Sequence, residues 1–328
     1  MVAFEEPLPD FTDCGFATRE PDADWFAVAH DGGPTRAFSR MMPAFGDALS
    51  DREMQLALDH VRSFCPDRDW PRGELNLPRP LVTEKAYPED EAVFETTIDT
   101  EGDGAVENRV VYETRFGARN QIELIVPFAW REQREPNPAR RDATEWNGGV
   151  GDVAVGVKRA VWHSLESGSI VSVAGEVILP TGDDDEGFGG GHATLEPFFA
   201  YGQLLPADSF LQVQGGAELP LEDDADDEAF LRAALGRSFT EGRFGRVWTP
   251  MVEVLAWRDL VSDADTHWDL LPELQVTLSA RQHVMLAGGV RIPMDDTDVR
   301  DTTIQLYLLW DWFDGGLFDG WHHFPEGD

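Results

Sequence analysis

The chain has 328 residues, 42% of them apolar, and a formal net charge of -36. That charge repels nucleic acid and anionic headgroups, so DNA and RNA are excluded as partners. No apolar run is long enough for a transmembrane helix, and the start, "MVAFEEPLPDF", has neither the basic nor the apolar part of a signal peptide.

Residues 1–65 read as loop and helix. "DADWFAVAHD" is predicted to form a helix, opened by Pro21 and closed by Gly32-Gly33. Ser50 with Glu53 forms a capping box for a second helix. Met54, Ala57, Leu58, Val61 and Phe64 make its apolar stripe, and Pro66 ends it. Cys14 and Cys65 are the two cysteines and permit one bridge, closing a loop of about 50 residues. Residues 66–90 are rich in proline and charge and read as an extended linker.

From residue 91 the apolar period changes from 3.6 to 2. Val171, Val173, Val177 and Leu179 oppose Ser172, Ala174, Glu176 and Ile178. Ile122, Leu124 and Val126 oppose Gln121, Glu123 and Ile125. Val284, Leu286, Val290 and Ile292 oppose Met285, Gly289 and Arg291. About twelve such segments occur up to residue 313, most of ten residues or more. Soluble strands usually run to about five or six, and tilted membrane strands to roughly 9–11. Short connections such as "GAR" and "SLES" alternate with longer acidic ones such as "PTGDDDEGFGGG". That is the layout of periplasmic turns and extracellular loops.

The less apolar strand face carries Glu113, Glu123, Glu176, Glu196, Glu218, Glu253 and Glu273 beside Arg115, Lys158, Arg232 and Arg291. Both signs on one face suit a wet lumen, where charges hydrate or pair. Aromatics gather near strand ends, among them Phe128, Trp130, Trp162, Phe198, Trp248, Trp257, Trp268, Trp312 and Phe313, as in interfacial girdles. The expected fold is mainly β: a twelve-stranded antiparallel transmembrane barrel over residues 91–313, preceded by a small all-α segment and followed by a tail at 314–328. A soluble sandwich or lipocalin-like barrel is the competing architecture.

"GGVGDVAVGVKRAVW", "VAGEVILPTGD", "GGAELPLE" and "YLLWDWF" resemble the outer-membrane barrels of the meta-pathway phenol-degradation transporters. That resemblance implies an uptake channel in the outer membrane. "MMPAFGDALSDREMQLALDHVRSFC" resembles the C-terminal half of a class I c-type cytochrome. There the methionine before Pro-x-Phe is the axial ligand of haem iron, which corresponds to Met42 here. The C-x-x-C-H attachment site is missing, and neither His30 nor His60 is placed like a proximal ligand. A segment upstream of Met1 would supply both haem site and signal.

The expected function is thus haem c-linked electron transfer at the outer membrane, with a periplasmic redox partner and both termini periplasmic. The alternative is a channel for small solutes without redox activity. No catalytic motif stands out, and the strand glutamates follow the strand repeat, so no enzyme is expected.

Overall fold

The computed structural model describes residues 8–100, 104–134, 144–222, 225–311 and 321–324. Among these, the sequence-predicted segments become fourteen strands. They are β1 (Glu91–Asp99), β2 (Ala105–Phe116), β3 (Asn120–Arg134), β4 (Thr144–Val150), β5 (Val153–Ser164), β6 (Ser169–Leu179) and β7 (Thr194–Leu205). They continue with β8 (Ser209–Pro220), β9 (Glu228–Arg237), β10 (Phe239–Thr240), β11 (Val247–Asp259), β12 (His267–Thr277), β13 (Val284–Pro293) and β14 (Thr303–Asp311). β4 and β5 both pair with β3 and make one staggered strand broken at Gly151-Asp152. β10 prolongs β9 along β11. Each strand pairs antiparallel with its neighbour, and the β1–β14 ladder, from Glu91↔Asp311 to Asp99↔Thr303, joins the two ends of the strand sequence. The result is a closed twelve-stranded antiparallel barrel, in which the β1–β14 seam leaves the twelve main strands without a free end to the sheet.

The break at Gly151-Asp152 has a purpose. Asp152 accepts hydrogen bonds from Gly182 N–H at 2.8 Å and Gly190 N–H at 2.7 Å. Thr181 Oγ1 accepts from Val153 N–H and donates to Gly151 O. Thus the G-x-G-D and L-P-T-G stretches, far apart in sequence, lock one loop onto one strand. Gly149 has to be glycine, because a Cβ there would lie 2.3 Å from the Phe188 ring.

The alternation holds in the expected phase. Glu176 is 9% exposed and Val177 40%. Outward positions are apolar, for example Leu124, Val173, Leu231, Leu274, Leu286 and Leu306. Val284 departs from the rule, since it shares the outward parity yet is fully buried. Trp130 and Trp268 face outward at the long-loop end, and Trp162 and Trp248 at the short-turn end. Two aromatics expected in the girdles face inward instead: Phe198 is buried, and Trp257 lies against Arg291 and Arg300 inside. Trp312 and Phe313 lie outside the described residues.

The N-terminal part holds α1 (Cys14–Ala17), α2 (Asp22–Asp31) and α3 (Asp51–Arg62). α3 begins with the expected capping box, both of whose hydrogen bonds form. Its buried stripe is narrower than the pattern predicts: Met54 and Leu58 are buried, while Ala57 and Phe64 are exposed. Cys14 and Cys65 are bridged, with their Cα atoms 5.3 Å apart. Arg62 pins the helices by donating to Asp22 and to the carbonyls of Ala17 and Glu20, and it stacks 3.6 Å over Trp25. This small domain caps the short-turn end of the barrel. Arg36 donates to Phe244 O at 2.7 Å, Arg243 to Asp51 at 2.7 Å, and Glu20 meets His283 at 2.8 Å. His30 is not the free surface histidine that its position suggests; it packs on Phe244 and contacts Arg243.

Candidate functional site

In the lumen, polar side chains from nearly every strand converge. It has two unlike halves, divided by residues 71–90. That stretch is extended, as expected of a linker, but it is not exposed: it threads into the barrel, and most of it is buried.

Burying a loop inside a barrel demands a partner for each peptide group. Pro78, Pro80 and Pro88 reduce the demand, since proline has no N–H to satisfy. The wall supplies the rest. Glu273 accepts from Leu81 N–H at 3.0 Å. Glu253 takes Val82 N–H at 2.9 Å, Thr83 N–H at 2.7 Å and the Thr83 hydroxyl at 2.5 Å. Gln214 accepts from Glu84 N–H and Gln121 from Glu89 N–H. Gln212 donates to Pro78 O, and the Tyr307 hydroxyl to Arg79 O at 2.6 Å. Leu75, Ala86 and Tyr87 pack against Ala160, Ile170 and Ala200, so one side of the plug is held by apolar contact.

Charge is balanced locally. Arg79 lies 2.9 Å from Glu91, 3.1 Å from Glu113, 3.3 Å from Glu84 and 3.6 Å from Glu95. Lys85 pairs with Glu89, and Lys158 reaches Glu84 at 3.5 Å. The inward glutamates expected from the sequence are therefore correctly placed, but many are buried against the plug. Glu113, Glu253 and Glu273 serve it as hydrogen-bond acceptors or counter-charges.

On the long-loop side of the plug lies a cavity of about 650 Å³. Its floor is Arg79 to Glu84, and its rim includes Asp99 and Asp301. Arg291 and Arg300 both bond Asp269 on one wall, and Arg109 pairs with Glu95. Glu123, Glu176, Glu196 and Glu218 line the other wall.

Among the described residues, two acidic groups have metal-like spacing. Glu84, Glu113 and Glu123 are one, and Arg79 and Lys158 already neutralise it. His267, Asp295 and Asp296 are the other, at the base of a long loop. The His267 hydrogen bond, followed by those from Trp268 N–H and Arg300, holds the Asp295 carboxyl below the usual carboxylate range. That aspartate is occupied by protein donors.

The chain was compared with known proteins. Residues 87–249 match the family model described as "Putative MetA-pathway of phenol degradation". The barrel is the part that carries this likeness. Among solved structures, the COG4313 outer membrane channel from Pseudomonas putida F1 is 13% identical with a TM-score of 0.49, covering 71% of this chain and 99% of that one. KdgM porin is 8% identical with a TM-score of 0.43, covering 68% and 99%. The beta domain of the Bordetella autotransporter BrkA is 10% identical with a TM-score of 0.39, covering 68% and 97%. No curated protein matches the chain.

The family match corrects the haem reading. It is to a phenol-degradation family and not to electron carriers, so haem c and the electron transfer in which Met42 was the expected axial ligand give way to the channel alternative. The structure shows what the M-P-A-F stretch does instead. Met42 is 38% exposed, and its carbonyl accepts from Gly33 N–H at 3.0 Å. Phe45 and Gly46 N–H groups then bond the carbonyls of Ala29 and His30. The stretch is a hydrogen-bonded turn that lays α3 against α2. Proline in a turn followed by a capping box is general helix-entry chemistry, which is why it imitates the cytochrome motif.

Proposed function

We propose that this chain is an outer-membrane channel for small polar solutes. The long loops face outward, and the helical cap and both termini lie in the periplasm. One observation carries this reading. The barrel's outer face is a band of Val, Leu, Ile and aromatic side chains, while its interior carries charged and amide groups around a cavity. An apolar exterior around a polar interior is stable only in lipid. A solute would enter from the loop side, rest in the cavity and pass when the strand of chain from Pro78 to Glu84 shifts.

Proteoliposome swelling tests it. The full chain, reconstituted in phosphatidylcholine vesicles, should make them permeable to small polar solutes at a low rate, with larger sugars excluded. A chain that stays soluble without detergent and leaves vesicles tight overturns the reading.

A further inference from the structure

The inward carboxylates are more than scattered lumen charges. Followed through the strand register, they form one continuous row. Glu91 pairs with Asp311, and continuing the β1–β2 register places Glu113 beside Glu91. Glu113 pairs with Glu123, Glu123 with Gly156, Gly156 with Glu176, and Glu176 with Glu196. The Leu195↔Leu219 pair places Glu218 beside Glu196, Glu218 pairs with Glu228, and Glu228 with Asp259. Adjacent strands lie about 4.8 Å apart, so a carboxylate recurs at nearly every strand spacing. Gly156 supplies the gap: a Cβ there would sit 2.7 Å from Glu176 Cγ and 3.3 Å from Glu123 Oε1. Two carboxylates approach each other across a bare backbone.

The row is also inclined. A row of paired residues climbs the wall of a sheared barrel. Glu91 and Asp311 sit at the short-turn end, Glu228 and Asp259 at the long-loop end. The ribbon therefore runs through the whole lumen.

Like charges directly opposite on neighbouring strands repel, so such a row needs cations. The lower part has them. One guanidinium nitrogen of Arg79 lies 2.9 Å from Glu91 and 3.1 Å from Glu113, bridging two consecutive members. The upper part has cations only at a distance. Glu176 and Glu196 are each nine-tenths buried and line the cavity together with Arg109 and Arg232, yet among the described residues no lysine or arginine forms an ion pair with them or with Glu218. The ribbon thus holds a guanidinium at one end and presents the same chemistry, unfilled, to the cavity.

We infer that the upper ribbon, Glu176, Glu196 and Glu218, is a binding site for small organic cations bearing ammonium or guanidinium groups, with Arg79 as the chain's own occupant of the row. This rests on the channel reading and narrows its solute class. A cavity of about 650 Å³ fits a small molecule rather than a bare ion. An incoming cation on Glu123 and Glu176 would compete with Arg79 for the next carboxylates, coupling occupancy to release of the plug.

Equilibrium binding tests it without requiring passage. The detergent-solubilised full chain is titrated calorimetrically with agmatine, a small dication, and with succinate. Agmatine should bind with an affinity that falls as salt rises, and succinate should not bind. The double substitution Glu176→Gln, Glu196→Gln should weaken agmatine about tenfold or more. If that variant fails to fold, Glu218→Gln alone, at the wider end, should weaken it about threefold. Succinate binding as well as agmatine, or agmatine affinity unchanged in the folded variant, overturns the inference. Vesicles that stay tight while agmatine still binds would remove the channel reading and leave the site standing.

Discussion

Arg79 is the residue on which the plug depends. It meets four carboxylates, two of which, Glu91 and Glu113, are almost fully buried. Arg79→Ala would strand those charges, at a cost of roughly 3–5 kcal/mol. The barrel ladders do not pass through Arg79, so the loss should appear as opening of residues 78–84 rather than as barrel melting. Amide exchange at Leu81, Val82 and Thr83 should accelerate, and single-channel conductance should rise. Arg79→Lys should rescue only in part, because one ammonium can still bridge Glu91 and Glu113 but gives up the second guanidinium nitrogen, which reaches Glu84 and Glu95. Unchanged exchange in Arg79→Ala would remove the plug's ionic anchor from the account. The neighbours Glu176 and Val177 test the barrel's inside and outside. Val177→Arg should cost roughly 2–4 kcal/mol in lipid if it lies near the midplane, while Glu176→Arg should be far milder. A cysteine at 177 should react with a lipid-dissolved reagent and resist a charged one, and a cysteine at 176 should do the reverse. The opposite labelling pattern would invert the barrel's polarity.

At the scale of elements, the cap is built to hold by itself. The Cys14–Cys65 bridge closes 51 residues, worth about 4 kcal/mol in the chain-entropy model. Cys14→Ser should leave the barrel's heat resistance unchanged while making residues 14–65 sensitive to protease. Equal loss in both parts would show that they fold as one unit. Ser50→Ala should cost α3 about 1 kcal/mol. Hydrogen bonds from the Ser50 backbone and hydroxyl lower the Glu53 carboxyl. Its contribution is therefore complete above the ordinary value of 4.5 and fades as pH falls through the lowered folded value. Circular dichroism of the cap should show α3 fraying on that acid side, with the Ser50→Ala protein already frayed above it. Elements differed in how readable they were. Strand phase is legible because lipid imposes one chemistry outside and the lumen another, and that alternation is local. The capping box is local too. The plug is not legible: "LNLPRPLVTEK" has no period, and its partners Glu253 and Glu273 lie about 170 and 192 residues away. The cytochrome-like stretch misleads for the converse reason, since a short motif does not carry the contacts that give it meaning.

The molecule as a whole is a barrel closed at its turn end by a cap and in its middle by a thread. Truncation should separate these roles. Removing residues 1–65 should keep the plug's hydrogen bonds to the wall and leave conductance low. Replacing 78–84 by glycine and serine should raise it severalfold, since every wall contact made by side chains there is lost. Equal conductance in the two variants would place the barrier elsewhere. The thread also constrains the order of events during biogenesis. Residues 79–84 are synthesised before their hydrogen-bond partners, the acceptors Gln214, Glu253 and Glu273 and the donor Tyr307. The β1–β14 seam joins the earliest strand to the latest. The thread enters beside the cap and leaves into β1 at the same short-turn end, and its contacts with the late strands are complete only when the seam closes the cylinder around it. Such late, long-range closure is slow, and until it happens the strands expose unsatisfied rims and a row of uncompensated carboxylates. Pulse labelling during refolding into micelles should find strand pairing among β5 to β9 early, and protection of Leu81 to Thr83 appearing together with the seam.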